Sequence, residues 1–246
     1  MNIDLFEQSC EKVINLQPGM DGVGTLAEKS LHAVIKNYIS PNFSDQEIKV
    51  EGFIADSFNG KEIIEVQTGN FQQLRRKLKT FLPLYPVTIV YPIHKNKWIR
   101  WINPQTGEIS PPRKSPKKGT AYAVFPELYK IKKFLLDPNL KLHIITVDLE
   151  EFRYLDGWGK NKKKGATKSD IIPTNLVDEL SISNSKEYAK LIPDCLLEGF
   201  TTRDYQKATG QTLKTSQLAL NILNHVEVVK RVGKKGNAYI YNRVQN

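Results

Sequence analysis

A hairpin signal followed by a helix and a buried strand constrains the fold more than any other part of the chain. Two β-prone runs, residues 47–58 and 61–68, flank Asn59-Gly60, a dipeptide that favours the left-handed backbone of a tight hairpin turn. Apolar residues then recur at helical spacing over 70–82, and 87–92 is an apolar, β-branched run typical of a buried strand. Hairpin, helix and strand in this order predict an α/β domain.

The rest of the first 155 residues extends this pattern. Apolar spacing and turn residues predict, in chain order, a helix over 25–39, a strand over 97–102, a basic proline-rich loop over 110–119, a helix over 126–136 and a strand over 140–152. We therefore expect one α/β domain over residues 1–155.

The last third of the chain changes character. Residues 157–168 combine five lysines with glycines, a composition too charged to pack, and this predicts a basic linker or extension over residues 156–189. Residues 190–246 then give a helix, a turn at Gly210, a second helix and a β-hairpin with a basic turn. That order is the one a winged helix requires, so we expect a small winged-helix domain there.

The charge balance favours a polyanionic partner. The 246 residues include 36 Lys and Arg against 26 Asp and Glu, a net charge of +10. Such an excess concentrates polyanions around a protein, and nucleic acid is the first partner to consider; the plain alternative is a basic protein that is only kept in solution by its charge. With 40% hydrophobic and 25% charged residues, the composition is that of a globular protein and argues against wholesale disorder.

The cysteines and the hydropathy of the sequence indicate in which cellular compartment the protein is found. Cys10 and Cys195 lie far apart without a Cys or His at zinc-finger spacing, which argues against a disulfide scaffold or a structural zinc site. The sequence has neither a leader-like start nor an apolar run of about 18 residues, the length of a membrane span. We expect a cytoplasmic protein with reduced thiols and no membrane partner.

The predicted hairpin carries the residues with the clearest chemical potential. It places Asp56 on one strand and Glu65 on the next, with Gln67 on the same face as Glu65. Two carboxylates beside a backbone carbonyl form a hard oxygen site that suits Mg²⁺ or Mn²⁺. The plain alternative is that both acids are ordinary polar residues on the open face of a hairpin.

On these residues the chain resembles the PD-(D/E)xK nuclease superfamily, whose core is a helix, a hairpin bearing Asp and Glu-x-Lys, a helix and a strand. The resemblance implies a restriction-endonuclease-like mixed sheet flanked by helices and a magnesium-dependent endonuclease acting on DNA. It makes Asp56, Glu65 and the Val66 carbonyl metal ligands. It also places Gln67 where the family has a lysine that orients water, and Glu28 at the acidic position of the first helix.

Gln67 departs from the family pattern, because an amide cannot act as a cation beside a nucleophile. The sequence therefore supports two readings, an active deoxyribonuclease and a catalytically inactive DNA-binding protein or regulator. A third, an adaptor whose basic surface contacts acidic proteins or RNA, is distinguished from both by its binding behaviour. A homodimer is compatible with all three.

Basic and polar residues near the predicted sites are candidates for contacts to DNA. On the helix over 70–82 they are Arg75, Arg76 and Lys79, which could equally form its solvated face. In the winged helix, the candidates are Lys214, Thr215 and Gln217 at the start of the second helix and Lys234 and Lys235 at the hairpin tip.

Overall fold

The computed structural model describes residues 1–15, 30–158, 164–165 and 167–244. The helices of this part of the chain are α1 (Ile3–Asn15), α2 (Ser30–Ile39), α3 (Leu74–Phe81), α4 (Phe125–Lys130), α5 (Thr202–Thr209) and α6 (Leu213–His225). The strands are β1 (Gln46–Val50), β2 (Phe53–Phe58), β3 (Ile63–Val66), β4 (Val87–Ile102), β5 (Arg113–Lys114), β6 (Leu140–Tyr154), β7 (Gly157–Trp158), β8 (Lys164–Gly165), β9 (Lys168–Ile182), β10 (Val229–Lys235) and β11 (Ala238–Arg243). None of the described helices is long and apolar enough to cross a membrane.

The main sheet has seven strands in the order β1-β2-β3-β4-β6-β9, with β5 paired to β4. β2 and β3 are antiparallel, whereas β3 and β4 are parallel, so the sheet is mixed. The parallel pair arises because α3 lies between β3 and β4 in the chain and returns it to the same end of the sheet. The α/β class expected from the sequence is confirmed.

The chain divides into two compact units, each built from three stretches of sequence. Unit 1 comprises residues 1–46, 92–120 and 145–179, and unit 2 comprises residues 47–91, 121–144 and 180–246. Within the span predicted as a basic linker, 156–189, residues 168–182 instead form strand β9 of the main sheet. The preceding lysines obscured this strand, because its buried apolar residues, such as Leu176 and Ile182, are sparse.

In unit 1, α1 and α2 pack together. Phe6 meets the Tyr38 ring edge-on, with 5.6 Å between centroids, and the Tyr38 hydroxyl donates to Glu179 Oε1 at 2.6 Å. At the start of α2, Ser30 N–H donates to Asp170 Oδ1 at 3.1 Å. The helix predicted over 25–39 is confirmed from Ser30 onward, and residues 25–29 lie outside the described part.

In unit 2, the hairpin forms around the predicted turn. Asn59 Oδ1 accepts from the Lys61 and Glu62 N–H groups at 3.0 and 2.9 Å, and Gly60 takes a φ of +82°. The first β-prone run is split into β1 and β2 by a turn at Glu51 and Gly52, which have φ of +48° and +81°. The hairpin of β2 and β3 then pairs Ser57 with Ile64 and Phe58 with Ile63.

Strand β4 is longer than the sequence indicated. The runs over 87–92 and 97–102 were expected as separate strands, but β4 is continuous from Val87 to Ile102. At the join between them, Asn96 is held by Asp148, whose Oδ1 accepts from its backbone N–H at 2.9 Å and its side-chain amide at 2.8 Å.

The C-terminal residues of unit 2 form α5, α6 and the antiparallel hairpin of β10 and β11. The Thr201 side chain caps α5, and Gly210 ends it with a φ of +67°. Phe200 forms an additional bridge with Tyr241. These elements pack on the 121–144 part of the same unit, where the buried Tyr205 ring lies 6.4 Å from Phe125.

Candidate functional site

The hairpin brings the two predicted carboxylates together. Ser57 pairs with Ile64 and Phe58 with Ile63, so the next position of β2, Asp56, faces Glu65. At that point Asp56 Oδ2 accepts the Val66 N–H at 2.7 Å. The carboxylate of Asp56 is therefore fixed by the strand that carries Glu65.

A lysine from α3 completes this cluster. Lys77 Nζ lies 2.9 Å from Glu65 Oε1 and 2.7 Å from Oε2, so the ammonium bridges both oxygens. Glu65 is 2% exposed. We call Asp56, Glu65 and Lys77 the hairpin cluster, and its core is a buried charge-assisted hydrogen-bonded pair.

The surroundings of the hairpin cluster shift the pKa of Glu65. Burial and the Asp56 carboxylate raise the pKa of Glu65 to about 7, although Lys77 acts in the opposite direction. Desolvation disfavours the charged form of a carboxyl, and a second carboxylate nearby adds to that penalty. A cation bound beside Glu65 and Asp56 would act in the same direction as Lys77 and favour the ionised carboxylate of Glu65.

The other predicted metal-site residues are placed differently. The Gln67 N–H donates to Val90 O at 2.9 Å, and its side-chain amide donates to the Gly69 carbonyl, so its described contacts are to backbone and not to Glu65. Glu28 lies outside the described residues. Val66 is buried and takes part through its N–H.

These donors can be tested against the divalent ion that the resemblance implies. Among the described residues, no group of three or more His, Cys, Asp or Glu side chains could hold a metal ion. Asp56 and Glu65 supply two hard oxygen donors, which fits an ion such as Mg²⁺ that keeps several waters and takes few protein ligands. The fit thus depends on two carboxylates alone.

The basic residues of α3 divide between two environments. Arg75, Arg76 and Lys79 are exposed, as expected for groups that could contact phosphates. The Arg76 guanidinium also lies 5.9 Å from the Phe53 ring centroid. Lys77 turns instead to Glu65 and is not part of that exposed face.

The sequence grouped Lys77 with the other cations of α3 as a candidate phosphate contact and did not predict its pairing with Glu65, although a signal was present. Leu74, Lys77, Leu78 and Phe81 stand at positions i, i+3, i+4 and i+7, so the lysine occupies the apolar stripe of α3. A cation on a buried stripe requires an acidic partner. Looking for that partner on the adjacent hairpin would have identified Glu65.

A second concave surface lies between α5, α6 and the β10–β11 hairpin. This groove has a volume of about 900 Å³ and contains Gln217 and Tyr239. Its cationic residues are Arg203, Lys207, Arg231 and Lys235. Of these, the sequence predicted only Lys235 as a contact residue. Arg231 lies 4.2 Å from the Tyr239 ring centroid.

The remaining predicted contact residues lie around this groove. Lys214 is exposed at the start of α6, and Lys234 is exposed with its Nζ 4.9 Å from the Tyr239 ring centroid. Thr215 is engaged in the helix cap, with its N–H donating to Thr212 Oγ1 at 3.1 Å.

Taken together, the fold and the site define a mixed α/β protein with a buried carboxylate–lysine cluster on a β-hairpin. The chain belongs to the family described as Domain of unknown function (DUF8091), which matches residues 29–183 and so includes the hairpin cluster. It is also similar to an uncharacterized protein of Treponema pallidum (strain Nichols), with 33% identity over 226 residues, 90% of this chain and 87% of that protein. No solved structure matches the chain significantly.

Proposed function

We propose that the protein is a metal-dependent endonuclease that cleaves DNA at the hairpin cluster. The observation that carries this proposal is the convergence of Asp56, Glu65 and Lys77 from two strands and a helix. Paired carboxylates beside a cation are the groups that phosphodiester hydrolysis needs, because negative charge develops on the phosphate during the reaction.

Asp56 and Glu65 would hold the divalent ion, Mg²⁺ or Mn²⁺. When bound, such an ion supplies a Lewis acid for the phosphate and an activated water. The Val66 N–H fixes the orientation of Asp56, and Lys77 fixes that of the buried Glu65. The charge of the ion would also lower the pKa of Glu65 below its value of about 7 and keep the carboxylate ionised.

Lys77 would supply the positive charge that Gln67 cannot. Its ammonium contacts Glu65, which precedes Gln67 by two positions, and its side chain is 23% exposed. The cation needed beside the nucleophile would then be Lys77 of α3 and not a residue at the position of Gln67, directly after β3.

The C-terminal elements support DNA as the substrate. The proposal of a winged helix is supported by the order helix, turn, helix and hairpin and by the bridge between Phe200 and Tyr241. In that reading α6 enters the major groove through Lys214 and Gln217, while Lys234 and Lys235 at the hairpin contact the backbone.

A plasmid-nicking assay tests the catalytic proposal. Cleavage should require magnesium, stop in EDTA, and fall at least about 100-fold in Asp56→Asn and Glu65→Gln, because each variant removes a charged ligand. Glu62→Gln is the matched control: it removes a carboxylate from the same hairpin that pairs with Lys141 at 3.1 Å outside the cluster. Cleavage by both cluster variants at the rate of the control would refute the proposal.

A non-catalytic DNA-binding protein is the second candidate, and one observation favours it. Both Glu65 oxygens already contact Lys77, which competes with any metal ion for that carboxylate. Isothermal titration with magnesium and manganese separates the two candidates. DNA binding without metal binding at Asp56 and Glu65 would establish the second.

A further inference from the structure

The proline-rich basic loop of the sequence has a defined place in unit 1. Its residues pair with the second half of β4: Lys114 is opposite Trp98 and Arg113 is opposite Ile99. Further along, the Ser115 N–H donates to the Lys97 carbonyl at 2.7 Å. The segment is an ordered edge of the sheet and not a free loop.

Close packing keeps this edge against β4. Gly119 N–H donates to the Lys95 carbonyl at 3.3 Å, and a Cβ on Gly119 would collide with the His94 carbonyl oxygen. Prolines at positions 111, 112 and 116 additionally restrict φ along the segment. The backbone of this edge is therefore organised before any ligand arrives, which reduces the entropic cost of binding.

The same edge carries a series of exposed cations, which we call the basic ribbon. It consists of Lys95, Arg113, Lys114, Lys117 and Lys118. The ion pairs found in the described part of the chain involve none of these five side chains. Lys114 Nζ is instead held 5.2 Å from the Trp98 ring centroid.

Two other cations of β4 form ion pairs, unlike those of the basic ribbon. Lys97 pairs with Glu151 at 2.9 Å and Arg100 with Glu150 at 2.7 Å, so these two have structural partners. The cations of the basic ribbon are instead exposed to solvent. Charges of one sign along an ordered edge repel one another, and a polyanion relieves that repulsion.

We propose that the basic ribbon binds the phosphate backbone of DNA, as a surface that shares no residue with the hairpin cluster or the C-terminal groove. Lys95 lies on β4 and the other four cations lie on the segment that runs back along it, so together they form one basic edge along which a chain of phosphates can lie. This contact is independent of sequence, because phosphates carry no base information. The inference rests on the proposed action on DNA. It assigns to the basic ribbon the binding of DNA away from the bond that is cleaved.

The test is a salt titration of DNA binding by the full chain. A short fluorescein-labelled duplex is titrated by anisotropy in EDTA, with the variant K114Q/K117Q/K118Q compared with the wild type. Removing one phosphate contact reduces the slope of log K against log salt by about 0.9, so the slope should fall by about 3. The matched control, K49Q/K61Q/K186Q, removes the same charge from exposed lysines elsewhere and should leave the slope nearly unchanged.

Equal slopes in the two triple variants, or no duplex binding by the wild type, would overturn the ribbon proposal. Circular dichroism of both triples verifies that the fold is kept. The result is distinguishable from failure of the nuclease proposal, because Asp56→Asn should lose cleavage and keep the wild-type slope.

Discussion

Two buried glutamates, Glu65 in unit 2 and Glu151 in unit 1, have the same exposure and opposite electrostatics. Each is 2% exposed. The pKa of Glu65 is raised to about 7 by burial and by Asp56, against the effect of Lys77. For Glu151, burial also acts to raise the pKa, but the surrounding cations outweigh it and lower the pKa below its ordinary value.

The partners explain the difference. Glu151 accepts from Lys97 Nζ at 2.9 Å and from Arg153 Nε at 2.6 Å, and Lys168 Nζ lies 3.8 Å away. Glu65 has one ammonium and a neighbouring carboxylate. Burial raises the free energy of any ionised group, and the number and sign of the neighbouring charges decide whether the ionised form is nevertheless stabilised. The ionised form of Glu151 is thus stabilised by its neighbours. The ionised form of Glu65 is destabilised, and a further cation beside it would lower its pKa.

The largest expected effect is the loss of Glu151. We expect Glu151→Gln to lower the free energy of unfolding at pH 7 by about 4 kcal/mol, because it leaves the charges of Lys97 and Arg153 without their buried partner. Urea unfolding measures this loss. The adjacent Glu150→Gln is the matched control: its ion pair with Arg100 is partly exposed, and the loss should stay below about 1 kcal/mol. Similar losses in the two variants would contradict the distinction drawn between these partners.

The next effect is a pH dependence that Glu65 introduces. Because its pKa is raised from 4.5 to about 7 on folding, its contribution to stability is complete below pH 4.5 and is lost as the pH rises through 7. Relative to Glu65→Gln, the wild type should lose about 3 kcal/mol of unfolding free energy over that range in EDTA. Glu151 has the opposite sign, since its contribution is present above pH 4.5 and is lost as the pH falls through its lowered pKa. A difference between wild type and Glu65→Gln that does not vary with pH would show that Glu65 titrates normally.

The smallest effect separates the lysines of α3. Lys77→Met should cost about 2 kcal/mol of unfolding free energy at pH 8, where Glu65 is ionised, and clearly less at pH 5, where the glutamate is protonated. Lys79→Met on the same helix is the control, because Lys79 is exposed and its loss should be small at both values. Chemical denaturation at the two pH values provides the comparison, and a pH-independent cost for Lys77→Met would count against the Glu65 pair.

Local patterns predicted much of the fold near the candidate site. Asn59-Gly60 located the hairpin turn, and the spacing of Leu74, Leu78 and Phe81 located α3. Turn chemistry and amphipathic periodicity depend on residues close in sequence, so they can be read without the tertiary structure.

Other elements depended on distant contacts. The start of α2 is held by Asp170, 140 residues further along the chain, and α1 packs on α2 through Phe6 and Tyr38. Strand β9 joins the main sheet despite few buried apolar residues, which left its sequence resembling a linker. Such pairings are decided by the fold as a whole, because no local signal specifies the partner strand.

By itself, the sequence determined the α/β class, the hairpin that carries Asp56 and Glu65, and the excess of positive charge. Only the tertiary structure decided that Lys77 meets Glu65 and that Glu151 is surrounded by cations contributed by β4, β6 and β9. The physical reason is that secondary structure follows the spacing of residues along the chain, whereas the energy of a charge depends on its burial and on neighbours that the folded chain supplies.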